Sequence, residues 1–447
     1  MGKKISDMTY ASGRKLDTDL IEISREVTPG TFETYSLNFS DIFNGSGTCI
    51  YVDSTYGNNV TAMKYRQDFP FETLDAAQAV ATTGDLIVVL PGTYSASSLG
   101  VDGVDWYFHK GAVVSDNSSQ IFRDTDGGGS ALNYNVLGYG VFISQYSAIL
   151  LSLHPDSVIN FELWEGYVRP NGRCFYAREG ATININVHNK LTHLPATGAI
   201  FEALLRSDNG GAGAIGGKIT VNGNGKLISE GFIAQTKQGL SHDGLIKINC
   251  RGGIETTASA YNRCVVELNG GSIEINTDCI LASSSNYGLS EFRIEGNFGY
   301  LRINGRITYT GSNQYLTAIG AAGKIEFNGV VVSTGGVDVS GASSEVYINN
   351  SLTTSFVGIP SVNISNGLLI VQGRLKNADT DAASDVILIS GGKVILQNAV
   401  LFASNGGNTV EAATPQNMYV YSGYANGGID ANVTQVINTV SVNGFVQ

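Results

Sequence analysis

The chain is short of charge, proline and cysteine. Asp, Glu, Lys and Arg make up only 15% of its 447 residues, and Pro occurs 8 times. So little Pro excludes collagen-like and Pro-rich architectures. Low charge beside 56 Gly is unlike an α-helical enzyme. It suits many short strands joined by tight turns, where Gly supplies positive φ. No block of Lys or Arg exists and the net charge is −12. A phosphate-binding surface needs clustered cations, so nucleic acid is not an expected partner. The acidity is suited to keeping an elongated particle soluble. No run of 18 apolar residues occurs, so no membrane insertion is expected. The start, Met1-Gly2-Lys3-Lys4-Ile5-Ser6, lacks the apolar core of a secretory signal. Gly2 with Ser6 fits an N-myristoylation pattern, of a length that sequences match by chance.

The five cysteines, Cys49, Cys174, Cys250, Cys264 and Cys279, match no zinc or redox spacing. Cys250, Cys264 and Cys279 fall in or beside expected strands and read as buried thiols behaving as small hydrophobes. Folding in a reducing cytoplasm fits this usage. His109, His154, His188, His193 and His242 are scattered, without the i, i+4 spacing of a helical zinc pair. The Gly210–Gly217 run lacks the Lys-Ser/Thr of a phosphate loop. No cofactor and no metal are expected.

What the chain does have is a ladder of short apolar strands, many ending in Asn-Gly. It includes Ile219-Thr220-Val221-Asn222-Gly223, Ile246-Lys247-Ile248-Asn249, Val266-Glu267-Leu268-Asn269-Gly270 and Phe292-Arg293-Ile294. It continues through Ile325-Glu326-Phe327-Asn328-Gly329, Val346-Tyr347-Ile348-Asn349, Val362-Asn363-Ile364 and Ile387-Leu388-Ile389. Taken as one series, their starts are 27, 20, 26, 33, 21, 16 and 25 residues apart. Strand-and-turn repeats of that length predict a parallel β-solenoid, in which each rung buries its core against its neighbours. Polar residues alternate outward at Lys247, Glu267, Glu274, Arg293, Arg302 and Glu326, which suits pairing between rungs.

Residues 1–48 differ from this pattern. Asp19–Arg25 and Tyr35–Phe39 alternate as two strands, with Pro29-Gly30 as the turn. The series Lys4-Ile5-Ser6-Asp7-Met8, Asp19–Arg25, Tyr35-Ser36-Leu37 and Asp41-Ile42 resembles a short N-terminal module of bacteriophage tail and fibre proteins. That resemblance covers about a tenth of the chain and implies attachment to other virion proteins through residues 1–48. From Cys49 a second resemblance begins. Ile50-Tyr51-Val52-Asp53, Phe69–Ala77 and Gly84–Tyr94 are similar to the opening rung of pectin-lyase-like right-handed β-helices. The residues agree with it physically. Leu74, Ala77 and Val80 or Ala81 share one helical face, Thr73 is placed to cap it, and a short helix there would plug the open end of the rod.

The expected architecture is therefore all-β: a right-handed parallel β-helix (pectin-lyase-like solenoid) with a short N-terminal capping helix, an N-terminal attachment arm and a C-terminal β cap. The expected divisions are 1–48, 49–405 with irregular, aromatic-rich rungs at 100–180, and 406–447 as a closing or oligomerisation segment. By resemblance to tailspikes and fibres the expected assembly is a homotrimer in the virion, displaying a surface for a host glycan or protein.

Two kinds of chemistry are open. Polysaccharide-cleaving β-helices use paired carboxylates, and Glu162, Glu165 and Asp243 are the weak candidates, with Asp124, Asp126, Glu230 and His242 beside them. No catalytic motif supports them, and solvated loops or contacts between rungs account for them equally. The aromatics of 100–180 have two readings as well. Trp106, Trp164 and Tyr167 could form an exposed platform for a sugar, or the aromatics could fill the core of the first rungs. The expected role is structural display and recognition, with depolymerase activity on the same shaft and a purely architectural head fibre or decoration protein as alternatives.

Overall fold

The computed structural model describes residues 20–28, 31–38 and 49–443, apart from 97, 117–119, 125–129, 144–148, 170–173, 195–202, 209–214, 237–243, 257–264, 283–291, 295–298, 312–314, 320–321, 356, 380–383, 405–407, 413 and 438–441. Leu20–Thr28 and Thr31–Asn38 form the expected N-terminal hairpin, antiparallel from Leu20 opposite Asn38 to Thr28 opposite Thr31. Its expected turn, Pro29-Gly30, lies outside the described residues.

From Cys49 onward the strands stack in parallel as a β-solenoid. Register builds one core column from Ile50, Ile87, Trp106, Val136, Phe161 and Ile185. The column continues through Val221, Ile248, Ile275, Ile303, Phe327, Ile348, Val371, Leu396 and Val420. Each is at most 1% exposed. The cause is period-2 patterning carried in phase from rung to rung, since a one-residue slip would turn every inward side chain to water. Burial of each such side chain contributes roughly 1.5–3 kcal/mol relative to exposure.

The strands aligned above as one series belong to two sheets. Those at Ile219, Ile246, Ile325 and Val346 lie in the sheet carrying the core column. Those at Val266, Phe292, Val362 and Ile387 lie in a separate 13-stranded sheet. One rung is one step along a single sheet, and along the core column from Val221 to Val420 it takes from 21 residues (Ile325 to Val346) to 28 (Ile273 to Leu301). The uneven spacings of the single series came from crossing between faces.

Helix α1 (Leu74–Val80) caps the first rung. Thr73 Oγ1 accepts from Ala76 N at 3.3 Å, the expected N-cap. Asn59 fixes this cap: its Oδ1 accepts from Glu72 N and Thr73 N, and its Nδ2 donates to Thr73 Oγ1. Leu74 and Ala77 are buried and Ala81 packs beside them, while Val80 faces outward. Leu86–Val89 follows as the expected fully buried strand.

Residues 100–180 hold more regular structure than their composition suggested. Asn133–Ile143, Val158–Arg169 and Thr182–His193 are long strands in parallel, with a register irregularity between Leu163 and Glu165. Phe108, Phe122, Phe142, Phe161 and Phe175 fill the core inside them. The described part of 406–447 is β-structure that extends the ladder in parallel. Gln416–Asn426 pairs with Lys393–Ala403 on one side and with Val433–Ile437 and Val442–Asn443 on the other. Cys174, Cys250 and Cys279 are buried free thiols, and burial pushes the last two up to about 12. Cys264 lies outside the described residues.

The Asn residues that end these strands acquire a structural role here. Asn222, Asn249, Asn276, Asn304, Asn328 and Asn349 stack on successive rungs. Each Nδ2 donates to the Oδ1 of the Asn before it, at 2.5–2.8 Å. All six amides therefore point the same way along the rod.

Candidate functional site

Upstream of the Asn ladder, the same outer corner carries aromatic and charged side chains. Against Thr182–His193 the extra residue of the irregularity between Leu163 and Glu165 lies on that strand, whereas against Asn133–Ile143 it is a bulge on Val158–Arg169, where one extra residue re-aims a side chain. That residue is Trp164, which is 40% exposed. Its ring is stacked between Tyr139 of the preceding rung, centroids 6.2 Å apart, and His188 of the following rung, 5.3 Å apart. Lys110, one rung before Tyr139, places its Nζ 5.9 Å from the Tyr139 centroid. Lys110, Tyr139, Trp164 and His188 thus form one column over four successive rungs, about 14 Å long at ~4.8 Å per rung. The rings are shingled, so their edges and parts of their faces meet solvent.

Local sequence explains the corner. Gly138 has φ +99°, and a Cβ there would lie 2.3 Å from the Phe108 carbonyl oxygen, so only Gly lets the chain turn before Tyr139. The column ends below His188, where the next rung is Gly223-Asn224-Gly225 and offers no further ring.

Glu162 and Glu165 flank the rings, brought to the same side by the bulge. Asn186 Nδ2 donates to both Glu162 carboxylate oxygens, at 3.0 and 2.9 Å, and His188 Nε2 contacts the same carboxylate. Glu165 pairs with Lys190 at 2.9 Å. That hydrogen bond holds the Glu165 carboxyl below its ordinary pKa, with a smaller pull from the Lys110 charge. A general acid needs the opposite shift. Glu165 is an ionised partner of Lys190, and Glu162 is shared between Asn186 and His188.

Of the residues anticipated for ligand binding, Trp164 stands at the centre of the site. Tyr167 is half-buried farther along the same strand, level with Val141 and Thr192. Trp106 requires a correction: it is fully buried, in the core column between Ile87 and Val136, packed against Phe108 and Phe122. Val104, Trp106 and Phe108 share one parity along the chain and all point inward. Asp124 is also buried, accepting from Ser152 Oγ and from the backbone N–H of Leu153 and His154, a structural tie between rungs. Asp243, His242 and Asp126 lie outside the described residues. Tyr139, His188, Lys110, Lys190 and Asn186 were missed. The sequence did hold a signal: Tyr139, Trp164 and His188 are spaced by one local rung, 25 and then 24 residues.

The fold and this corner define a class, a parallel β-solenoid with an aromatic and charged column on its outer surface. No protein-family model, no curated protein and no solved structure matches the chain. Among the described residues no helix is long and apolar enough to cross a membrane, and no cluster of His, Cys, Asp and Glu could hold a metal ion.

Proposed function

We propose that this chain is a recognition rod of a bacteriophage particle, a tailspike- or fibre-like virion protein. It attaches through residues 1–48, assembles as a homotrimer, and binds a host-surface glycan along its N-terminal rungs. The phage assignment rests on the resemblance of residues 1–48 to tail and fibre modules. The recognition role rests on one observation, the exposed Lys110–Tyr139–Trp164–His188 column. A sugar presents apolar C–H faces and a rim of hydroxyls. Shingled rings accept the first, and Glu162, Asn186 and Lys190 beside them supply acceptors and donors for the second.

The test is binding of the full chain to bacterial surface polysaccharides, comparing wild type with Trp164→Ala. Loss of roughly tenfold or more in affinity, with an unchanged thermal melt, supports the reading. Equal binding by the variant overturns it. Release of oligosaccharides that stops with Glu162→Gln would make the chain a depolymerase instead.

A further inference from the structure

An asparagine side chain can react with its own backbone, through the nitrogen of the residue that follows. Gly in that place puts no Cβ in the way of the attack. The Asn-Gly pairs of this rod are chemically unequal in that respect. At Asn304-Gly305 and Asn328-Gly329 the side-chain amide is committed at both ends of the ladder. Nδ2 donates to the Asn of the rung before, and Oδ1 accepts from the Asn of the rung after. At Asn224-Gly225 the Gly nitrogen is committed instead, donating to the Val187 carbonyl oxygen at 2.7 Å.

Asn366-Gly367 has neither restraint. It lies in the turn between Val362–Ile364 and Leu368–Val371, where the chain passes from one sheet to the other. Asn366 is exposed, and its Nδ2 has no partner among the described residues. The Gly367 N–H donates to Asn366 Oδ1 at 3.0 Å, its one hydrogen bond among the described residues. Oδ1 is bonded to Cγ, so this contact holds the Gly367 nitrogen beside the amide carbon. Two reacting groups held together in this way need no chance encounter. Gly367 has φ +78°, and a Cβ there would lie 2.5 Å from the Ser344 carbonyl oxygen, so the stacked backbone fixes the turn.

We propose that Asn366-Gly367 is a self-modifying turn, which converts Asn366 to isoaspartate in the folded rod and thereby loosens the C-terminal rungs. Base takes the Gly367 N–H proton. The nitrogen pair forms a bond to Asn366 Cγ, and the Cγ–Nδ2 bond breaks, with Nδ2 leaving as ammonia. Water then opens the cyclic imide. Opening at Cγ leaves Asp, and opening at the original peptide carbonyl leaves isoaspartate, whose backbone runs through Cβ and Cγ. Water is the only co-reactant. The lengthened backbone meets a tightly stacked neighbour. A Cβ on Gly391 would lie 2.2 Å from the Ser365 carbonyl oxygen, and one on Gly392 would lie 2.8 Å from the Asn366 carbonyl carbon. The Gly367 carbonyl also accepts from Lys393 N at 2.8 Å, where the strand Lys393–Ala403 begins. An added backbone atom displaces these contacts together. The reaction does not depend on the Trp164 corner or on what that corner binds.

The experiment is peptide mapping by mass spectrometry of the full chain incubated at mildly alkaline pH, both folded and in urea, with isoaspartate identified by enzymatic methylation. In the folded chain Asn366 should convert roughly tenfold or more faster than Asn304 and Asn328. In urea all three should convert at similar rates, since the dipeptide is the same. Equal rates in the folded chain, or an unchanged ranking in urea, overturn the geometric cause. Thermal melts test the consequence. Aged wild type should melt below fresh protein. Asn366→Gln, whose longer side chain closes an imide ring more slowly, should lose less on ageing. If fresh Asn366→Gln melts differently from fresh wild type, Asn366→Ser takes its place. An equal loss on ageing in wild type and variant overturns the loosening of the rungs.

Discussion

A Cβ built on Gly329 would lie 1.9 Å from the carbonyl oxygen of Gly305, one rung earlier. No side chain fits between these two turns. Gly305 stands in the same relation to Thr277, where a Cβ would come within 1.8 Å of the carbonyl oxygen. Gly305 and Gly329, each the Gly of an Asn-Gly pair, are thus required by the close approach of stacked backbones. Gly329→Ala must push the rungs apart, and overpacking of this kind costs about 1–3 kcal/mol. Urea unfolding measures the loss; an unchanged midpoint would refute the close stacking.

The stacked Asn side chains do a different job. Asn276 Nδ2 donates to Asn249 Oδ1 at 2.7 Å, and its Oδ1 accepts from Asn304 Nδ2. Asn276→Asp keeps the acceptor and replaces the donor with a second oxygen facing Asn249 Oδ1, beside the Glu274 carboxylate. At pH 7 it should destabilise the rod by about 1 kcal/mol, the low end for an unmet polar group, because Asn276 is half-buried. Asn222→Asp, at the exposed end of the ladder, should cost less. Equal losses at both positions in thermal denaturation would mean that the ladder is not cooperative.

The two tryptophans report on separate environments. Trp106 is buried in the core column, and Trp164 is exposed between Tyr139 and His188. Trp164→Phe should leave a blue-shifted emission that acrylamide barely quenches. His188→Ala should uncover more of Trp164, shifting the emission to the red and raising quenching. Unaltered quenching in His188→Ala would show that the imidazole does not cover the indole in solution.

The strands and the first-rung cap were legible because both are local. Leu86–Val89 and Leu74–Val80 follow from patterning over a few residues, and Thr73 from one side chain. Assigning strands to faces was not local. Ile246 and Val266 look alike as sequence, yet they lie in different sheets, with the strand Ile254–Thr256 of the first sheet between them. The same limit hid the site. Tyr139, Trp164 and His188 meet only through pairing between rungs, and the bulge at Trp164 reverses the parity that would otherwise place Glu162 and Glu165 on opposite sides. Trp106 was misread for want of that parity, although Val104 and Phe108 carry it.

His193 is buried, its Nδ1 2.7 Å from Ser229 Oγ, and burial lowers its pKa from 6.5 to about 3. Its neutral form is therefore the folded one. The unfolded chain takes up a proton below pH 6.5 and the folded chain does not until about 3, so stability falls as pH drops through that window. The His193 imidazole resonance should not titrate between pH 8 and 5 by NMR. A midpoint near the ordinary value would place the ring in water.

Asp385 acts in the opposite direction. Burial raises its pKa from 3.8 to about 7, helped by a hydrogen bond and charge repulsion from Glu411 and by the charge of Asp430. Its Oδ1 accepts from Asn408 N at 3.0 Å, so the group is fixed between neighbouring rungs near the C-terminal end of the described rod. The folded chain keeps this proton up to about pH 7, whereas the unfolded chain loses it near 3.8. The native state binds more protons across that window, and stability declines as pH rises from about 4 to about 7. Asp385→Asn keeps the acceptor for Asn408 N and cannot ionise. Its melting temperature should match wild type at pH 4 and exceed it by a few degrees at pH 8, where each kcal/mol is worth about 1 °C in a chain of 447 residues. Glu411→Gln removes the repelling partner and should give a gain of the same sign. Melting curves of wild type and Asp385→Asn that run parallel from pH 4 to 8 would mean that the carboxyls of these adjacent rungs do not share a proton.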